Sequence, residues 1–353
     1  MTTSDPTATS DTTPGIEHGA VVAWLRDTVP GLREPVSFTR VGDGRSNLTY
    51  VVDDAAGGRW ILRRPPLGPR LPSAHDMVRE HRLIAALHPV GIPVPEPLGL
   101  CEDEAVTGAP FYLMEHADGH VLASREAAGP LTPAARRGAG FDLVDTLARL
   151  HAVDVEAVGL ADLGRHDGYG ERQLRRWTRQ WEASKTREIP AIERTHARLV
   201  AGIPKQQRVS IVHGDYKLEN VIVDDDGTVQ AILDWELCTL GDPLADLGLL
   251  LVYWTEHDDP EPRISTAPLA EGFPSRAEVV ERYAEASGLD LSGLPFYRAL
   301  GAWKLAIILQ GVVRRFRDTP GNANHDPESF EPIIDGLATQ AERVAEDVAP
   351  TAG

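Results

Sequence analysis

The spacing of apolar positions changes several times along the chain, and each change predicts an element. In residues 17–29, Val21, Val22, Leu25 and Val29 recur at helical spacing and predict a short helix. From 36 to 63 the spacing shortens. Val36–Val41, Leu48–Val52 and Arg59–Arg63 read as strands, separated by a Gly-rich turn and by the turn Asp53–Gly58. Met77, Leu83, Ile84 and Leu87 return to helical spacing, with Ser73 as N-cap and Asp76 three residues on, the capping-box arrangement. Pro89, Pro93, Pro95 and Pro97 end that helix, and Phe111–Glu115 reads as one more strand. From about residue 130 the patterns are mostly helical, interrupted by a β segment between 209 and 234. No internal repeat stands out. The layout is a polar tail (1–15), a small β-rich part (16–115), a joint (116–120), a larger helical part (121–345) and a second tail (346–353).

Composition narrows this picture. A chain of 353 residues suggests two domains or lobes. Its 42% apolar and 25% charged residues are ordinary for a globular protein. The formal charge of −18 argues against a nucleic-acid partner, because phosphate binding needs a basic surface. Cys101 and Cys238 are far apart and in no metal-like spacing. The first residues lack the basic and apolar segments of a signal peptide. The longest apolar stretches, Leu244–Trp254 and Ala302–Val313, are interrupted by Asp246 and by Lys304 and Gln310, and are expected to fall short of a membrane helix. The expectation is a cytoplasmic protein, monomer or homodimer, with neither membrane nor nucleic acid as partner.

The candidate chemistry concentrates in residues 211–246. Two apolar runs, 221–223 and 229–233, flank an Asp-Asp-Asp-Gly turn and predict a hairpin. A hairpin brings its outer ends together, and here those ends carry Asn220 and Asp234, oxygen ligands suited to a hard cation such as Mg²⁺. Asp215 lies on the loop that leads into the same hairpin. One acid for a nucleophile beside two ligands for magnesium is what phosphoryl transfer requires.

The run His213-Gly-Asp215, then Asn220, then Ile-Leu-Asp234-Trp-Glu resembles the aminoglycoside phosphotransferase and choline kinase-like families. Gly241-Asp-Pro-Leu-Ala-Asp246-Leu-Gly also matches what these families carry next. Within the group the chain looks most like the phosphotransferase-like domain of acyl-CoA dehydrogenase family proteins. Leu62-Arg-Arg-Pro-Pro-Leu67 and Leu71–Glu80 carry that closer match. The resemblance implies an α+β, two-lobed, protein-kinase-like fold: a small antiparallel sheet with one key helix, and a helical lobe carrying a catalytic β-hairpin. It implies ATP or GTP with Mg²⁺ as cofactors and a hydroxylated small molecule as acceptor. Asp215 then orients the acceptor hydroxyl and accepts its proton, Asn220 and Asp234 hold the metal, and His213 and Asp246 support the loop.

On the nucleotide side, Gly42 and Gly44 lie in a strand–turn–strand segment where backbone amides can approach phosphates, and Ser46 and Asn47 can add side-chain donors. The position that holds lysine in most relatives of the wider fold is Arg63 here. Arginine can bridge phosphate and carboxylate. Its expected acid is Glu80 on the following helix, and Arg64 points to the other face of the strand. Met114, Glu115 and His116 stand where an inter-lobe hinge would read adenine.

For the acceptor, residues 165–187 are rich in arginine and hold Trp177 and Trp181 on one helical face. Arg175, Arg176 and Arg179 lie there, and Lys304 and Arg314 lie on a later helix. A basic acceptor site favours an anionic acceptor such as a hydroxyacyl-CoA or a hydroxy acid. Two other readings remain open: a catalytically weak kinase-fold binding protein, which the arginine at 63 favours, and an antibiotic phosphotransferase. A protein kinase is disfavoured by the lack of an Ala-Pro-Glu segment after Asp234, and a metal hydrolase by the lack of further histidine ligands.

Overall fold

A computed structural model describes residues 13–42, 47–68, 75–261, 263–318 and 327–350. The chain divides into two compact units, Met1–Ala117 and Asp118–Gly353.

The first unit is a five-stranded antiparallel sheet with helices. Helix α1 (His18–Thr28) is followed by β1 (Ser37–Val41), β2 (Leu48–Asp53) and β3 (Arg59–Arg64). Then come α2 (Met77–Leu87), β4 (Pro97–Cys101), the single turn α3 (Glu104–Thr107) and β5 (Phe111–Glu115). The strand order is β1-β2-β3-β5-β4. Period-two alternation assigns the faces. Tyr50, Val52, Leu62, Phe111 and Leu113 are buried in one core with Val21, Val22 and Leu25 of α1. Arg63, one residue on from Leu62, therefore belongs to the other face. Strand β4 was not anticipated, because the prolines around it mask a strand pattern.

Three local expectations need correction. The N-cap of α2 is Asp76, whose carboxylate accepts from the Arg79 N–H, and Ser73 lies outside the described residues. The tail does not extend to residue 15: the Pro14 carbonyl accepts from the Tyr50 hydroxyl, and Gly15 accepts from Arg64. Residues 1–12 lie outside the described residues. At the other end, residues 345–347 form a turn that buries Ala345, and a side chain at Gly202 would meet Val348 and Ala349.

The second unit is mainly helical: α4 (Pro133–Ala152), α5 (Tyr169–Ser184), α6 (Pro190–Ala201), α7 (Leu244–Tyr253), α8 (Arg276–Ser287), α9 (Leu294–Asp318) and α10 (Glu331–Val344). Two small antiparallel ribbons sit among them, β6 (Ser210–Val212) with β9 (Thr239–Gly241), and β7 (Val221–Val223) with β8 (Val229–Ile232). Helix α9 corrects one expectation. Lys304 and Gln310 do not interrupt it, and by length and composition it is long and apolar enough to cross a membrane. Here 72% of its apolar window is buried against the unit itself, chiefly against α7 and α10.

Candidate active site

In the second unit the β7–β8 hairpin forms as its sequence predicts, with Val221 opposite Ile232. The Leu233 N–H donates to the Asn220 carbonyl at 2.8 Å, so the hairpin ends place Asn220 beside the residue that precedes Asp234. The Asn220 amide nitrogen donates at 2.9 Å to both the backbone carbonyl and Oδ2 of Asp215. That leaves the amide oxygen of Asn220 as the atom a cation can take. Asp234 has φ 63° and ψ 65°, the left-handed region that non-glycine residues seldom occupy. Such strain concentrates at functional positions, where surrounding structure holds it in place.

Asp215 is half-buried and ringed by donors. Besides Asn220, Lys217 Nζ lies 3.0 Å from Oδ2, and the Tyr253 hydroxyl donates to Oδ1 at 3.2 Å. Lys217 also sits 4.6 Å from the centroid of the Tyr253 ring and 3.5 Å from Glu219. Burial raises the Glu219 carboxyl above its ordinary value. Sequence reasoning missed Lys217 and Tyr253. Lys217 lies within the motif, two residues after Asp215, and could have been noticed. Tyr253 arrives from the end of α7 and carries no local signal.

The loop that presents Asp215 is fixed from several helices. Asp246, in the first turn of α7, accepts the backbone N–H groups of His213 at 2.6 Å and Gly214 at 2.8 Å. It also contacts His151 Nε2 of α4 at 3.2 Å, and His151 Nδ1 meets the Tyr283 hydroxyl of α8 at 2.7 Å. Burial works to raise the Asp246 carboxyl, but these partners outweigh it and hold the carboxyl below its ordinary value. The His213 ring spans two elements. Its Nδ1 accepts from the Asp215 N–H at 3.3 Å, and its Nε2 donates to the Leu233 carbonyl at 2.9 Å. These bonds select the neutral tautomer with the proton on Nε2 and tie the Asp215 loop to the strand leading into Asp234. From the opposite side, Lys304 Nζ of α9 donates to the Gly214 carbonyl at 3.0 Å and lies 5.6 Å from the Trp177 ring of α5. Burial lowers the Lys304 ammonium below its ordinary value.

The remaining basic positions are not gathered at Asp215. Arg176 lies over the Trp177 ring at 5.1 Å and is felt electrostatically by Lys304. Arg175 and Arg179 instead line a groove of about 640 Å³ between α5 and α6, with Leu174, His196 and Val200. The Trp181 indole donates to Glu193, and Arg314 pairs with Asp318 one turn along α9. The stretch that reads as one basic region thus divides between different faces of its helices.

In the first unit, Arg63 Nε lies 3.0 Å from Glu80 Oε2, and Glu80 is 3% exposed. Arg63 is opposite Tyr112 in the β3–β5 register, and the Tyr112 hydroxyl donates to the same Glu80 oxygen at 3.2 Å. Asn47 donates to Glu80 Oε1 at 2.9 Å, and its own oxygen meets His75 Nδ1 at 2.9 Å. Asn47 therefore braces Glu80 through one of its two amide N–H donors. Arg64 turns away and donates to the Thr107 and Pro65 carbonyls. Gly42 has φ 73°, and Gly44 and Ser46 lie outside the described residues. Met114 is buried, Glu115 is exposed and its N–H donates to the Glu96 carbonyl, and His116 is half-buried.

Among the described residues, no three His, Cys, Asp or Glu side chains cluster as a metal site. Magnesium is usually held by one or two protein ligands together with substrate phosphates rather than by an all-protein cage. Asn220 and Asp234 fit that pattern.

Residues 37–299 match the model of the phosphotransferase enzyme family. The chain is 38% identical over 295 residues to acyl-CoA dehydrogenase family member 10 of Mus musculus, covering 80% of this chain and 27% of that protein. It is 34% identical over 303 residues to acyl-CoA dehydrogenase family member 11 of Homo sapiens, covering 84% and 38%. The chain thus spans well under half the length of these relatives. A Ralstonia eutropha crystal structure, provisionally assigned as an aminoglycoside phosphotransferase, is 32% identical with TM-score 0.80, covering 94% of this chain and 98% of that one. The ternary complex of aminoglycoside phosphotransferase APH(4)-Ia with AMP-PNP and hygromycin B shares the fold at 14% identity and TM-score 0.58, covering 94% and 99%. This protein belongs to the phosphotransferase enzyme family and has its kinase-like fold.

Proposed function

We propose that the protein transfers a phosphoryl group from Mg-ATP or Mg-GTP to a hydroxyl of an anionic small molecule, such as a hydroxyacyl-CoA or a hydroxy acid. The observation that carries this reading is the arrangement around Asp215. A half-buried carboxylate is presented by a loop pinned at both of its first amides, beside the amide of a metal-ligand candidate.

In this reading Asp215 orients the acceptor hydroxyl and receives its proton as the oxygen attacks the γ-phosphorus, while the bond from that phosphorus to the bridging oxygen breaks and its electron pair leaves with the nucleoside diphosphate. The amide oxygen of Asn220 and the Asp234 carboxylate would hold the cation, which neutralises charge on the nucleotide phosphates. Arg63, aligned by Glu80, meets charge on the phosphates that are not transferred. Positioning and electrostatics supply most of the acceleration in such chemistry.

The preference for an anionic acceptor rests on two cations at the base: Lys217 on its carboxylate and Lys304 on the neighbouring Gly214 carbonyl. Of the other acids nearby, Glu219 pairs with Lys217 and Asp246 is committed to backbone amides. A polycation would meet charge of its own sign there. The relatives named for acyl-CoA dehydrogenases support the hydroxyacyl class, since a domain fused to such an enzyme would act on related acyl compounds.

The test is phosphoryl transfer from labelled ATP and GTP to a panel of hydroxy acids, hydroxyacyl thioesters and kanamycin-type aminoglycosides. The reading expects product from the anionic members only. Asp215→Asn should lower turnover by a factor of about 10² to 10⁴, the range for a general base. Phosphorylation of aminoglycosides alone would overturn the acceptor class, and full turnover in Asp215→Asn would overturn the base.

A further inference from the structure

We propose that the Tyr253 hydroxyl occupies the acceptor-hydroxyl position on Asp215 when no acceptor is bound, and so keeps water from being activated there. The proposal rests on the phosphotransfer reading above.

A carboxylate offers about four lone-pair sites. On Asp215, Oδ2 is taken by Asn220 and Lys217, and Oδ1 by the Tyr253 hydroxyl. An acceptor alcohol needs an oxygen of this carboxylate for its proton, and Oδ1 is the one that carries a single neutral donor. Its partner is itself an alcohol-type O–H, so the tyrosine presents the chemistry the acceptor must present. The bond is long at 3.2 Å against a usual O–H···O distance of about 2.7–2.8 Å. It is therefore readily exchanged for a better-placed hydroxyl.

The surroundings suit a placeholder. Tyr253 is the last residue of α7, and the next residue, Trp254, is buried with its indole bonded to the Pro274 carbonyl. The backbone is thus fixed while the ring lies half-buried with Lys217 over its face. Burial, with the charges of Asp215 and Glu219 behind it, raises the phenol well above its ordinary value, so it remains a donor at any working pH.

The consequence concerns a wasteful reaction. If water held the Oδ1 position, its oxygen could attack the γ-phosphorus while Asp215 took its proton. The bond from that phosphorus to the bridging oxygen would break, its electron pair leaving with the nucleoside diphosphate, and inorganic phosphate would form. The tyrosine hydroxyl holds this Oδ1 position in competition with water until an acceptor displaces it.

The experiment needs no knowledge of the acceptor. Phosphate release from Mg-ATP alone is measured for the full chain and for Tyr253→Phe, with Tyr253→Leu alongside so that the result does not depend on one variant. Melting temperature and Mg-ATP affinity are recorded for each. The expected result is a several-fold rise in acceptor-independent phosphate release at unchanged nucleotide affinity, abolished in Tyr253→Phe/Asp215→Asn. A merely structural tyrosine would give slower release. Equal or slower release from variants that bind Mg-ATP overturns the placeholder and leaves the phosphotransfer reading standing. Failure of the unmodified chain to bind any nucleotide overturns both.

Discussion

Asp246 accepts the backbone N–H groups of both His213 and Gly214, residues 33 and 32 positions earlier in the chain. Gly214 adopts φ +87°, and a Cβ there would lie 2.8 Å from the Leu237 carbonyl oxygen. The tight loop that presents Asp215 is thus a consequence of a distant buried acid and a residue without a side chain. Asp246→Ala should destabilise the protein by about 3 kcal/mol, because two buried amides lose their acceptor. Chemical denaturation measures that, and activity should fall with it.

The same carboxylate sets a pH dependence. Its folded value is depressed below the ordinary 3.8. A depressed acid contributes stability that is present above its unfolded value and is lost as pH falls through the folded one. The protein should therefore lose stability below about pH 4, and Asp246→Asn should flatten this part of the profile. A titration of melting temperature from pH 7 to pH 3 checks it.

Arg63 and Glu80 make a nearly buried ion pair, and Glu80 has further donors in Asn47 and Tyr112. Arg63→Met leaves those donors in place but removes the cation. A charge-assisted hydrogen bond from Arg63 to a phosphate would contribute roughly 1.5–3 kcal/mol, so without it nucleotide Kd should rise about 10- to 100-fold. Calorimetric titration with Mg-ATP measures it. Arg63→Lys should recover part of the affinity, since charge returns without the planar fork.

Gly227 closes the β7–β8 turn with φ +87°, and a Cβ there would sit 2.0 Å from the Ala135 carbonyl oxygen of α4. Gly227→Ala forces both a disfavoured backbone and a clash with main chain. A cost of about 3 kcal/mol is expected, combining the left-handed penalty with displacement of the hairpin from α4. Because this hairpin carries Asn220 and Asp234 at its ends, Mg-dependent nucleotide binding should weaken together with the melting temperature.

Much of this was legible in the sequence because it is local. The alternation in 48–52 and 59–63 gave the strands, and the two apolar runs around Gly227 gave the hairpin whose ends hold Asn220 and Asp234. Arg63 and Glu80 could be paired from the resemblance to a kinase-like order, and the ion pair is present. What could not be read depends on side chains meeting from remote segments. Tyr253 reaches Asp215 across 38 residues and Lys304 reaches Gly214 across 90, and neither leaves a periodic trace. Asn47 lies near the Gly-rich turn, but its bonds to Glu80 and His75, which join three separate segments, leave no trace in the local pattern. The basic stretch 165–187 was misleading as a unit, because helix α5 sends Arg176 and Arg179 to different surroundings.

Asn220 and Asp234 are proposed to make a magnesium-nucleotide site beside Asp215. It is tested most directly by thermal-shift titration of the full chain with ATP and GTP, each with and without Mg²⁺, against Asp234→Asn. A ligand at 100 times its Kd adds about 2.7 kcal/mol of stability, a shift that is easily read. The expected outcome is a stabilisation that needs Mg²⁺ and is lost in Asp234→Asn, while Asp215→Asn still shows it. No shift with any nucleotide, or an equal shift in Asp234→Asn, would contradict it.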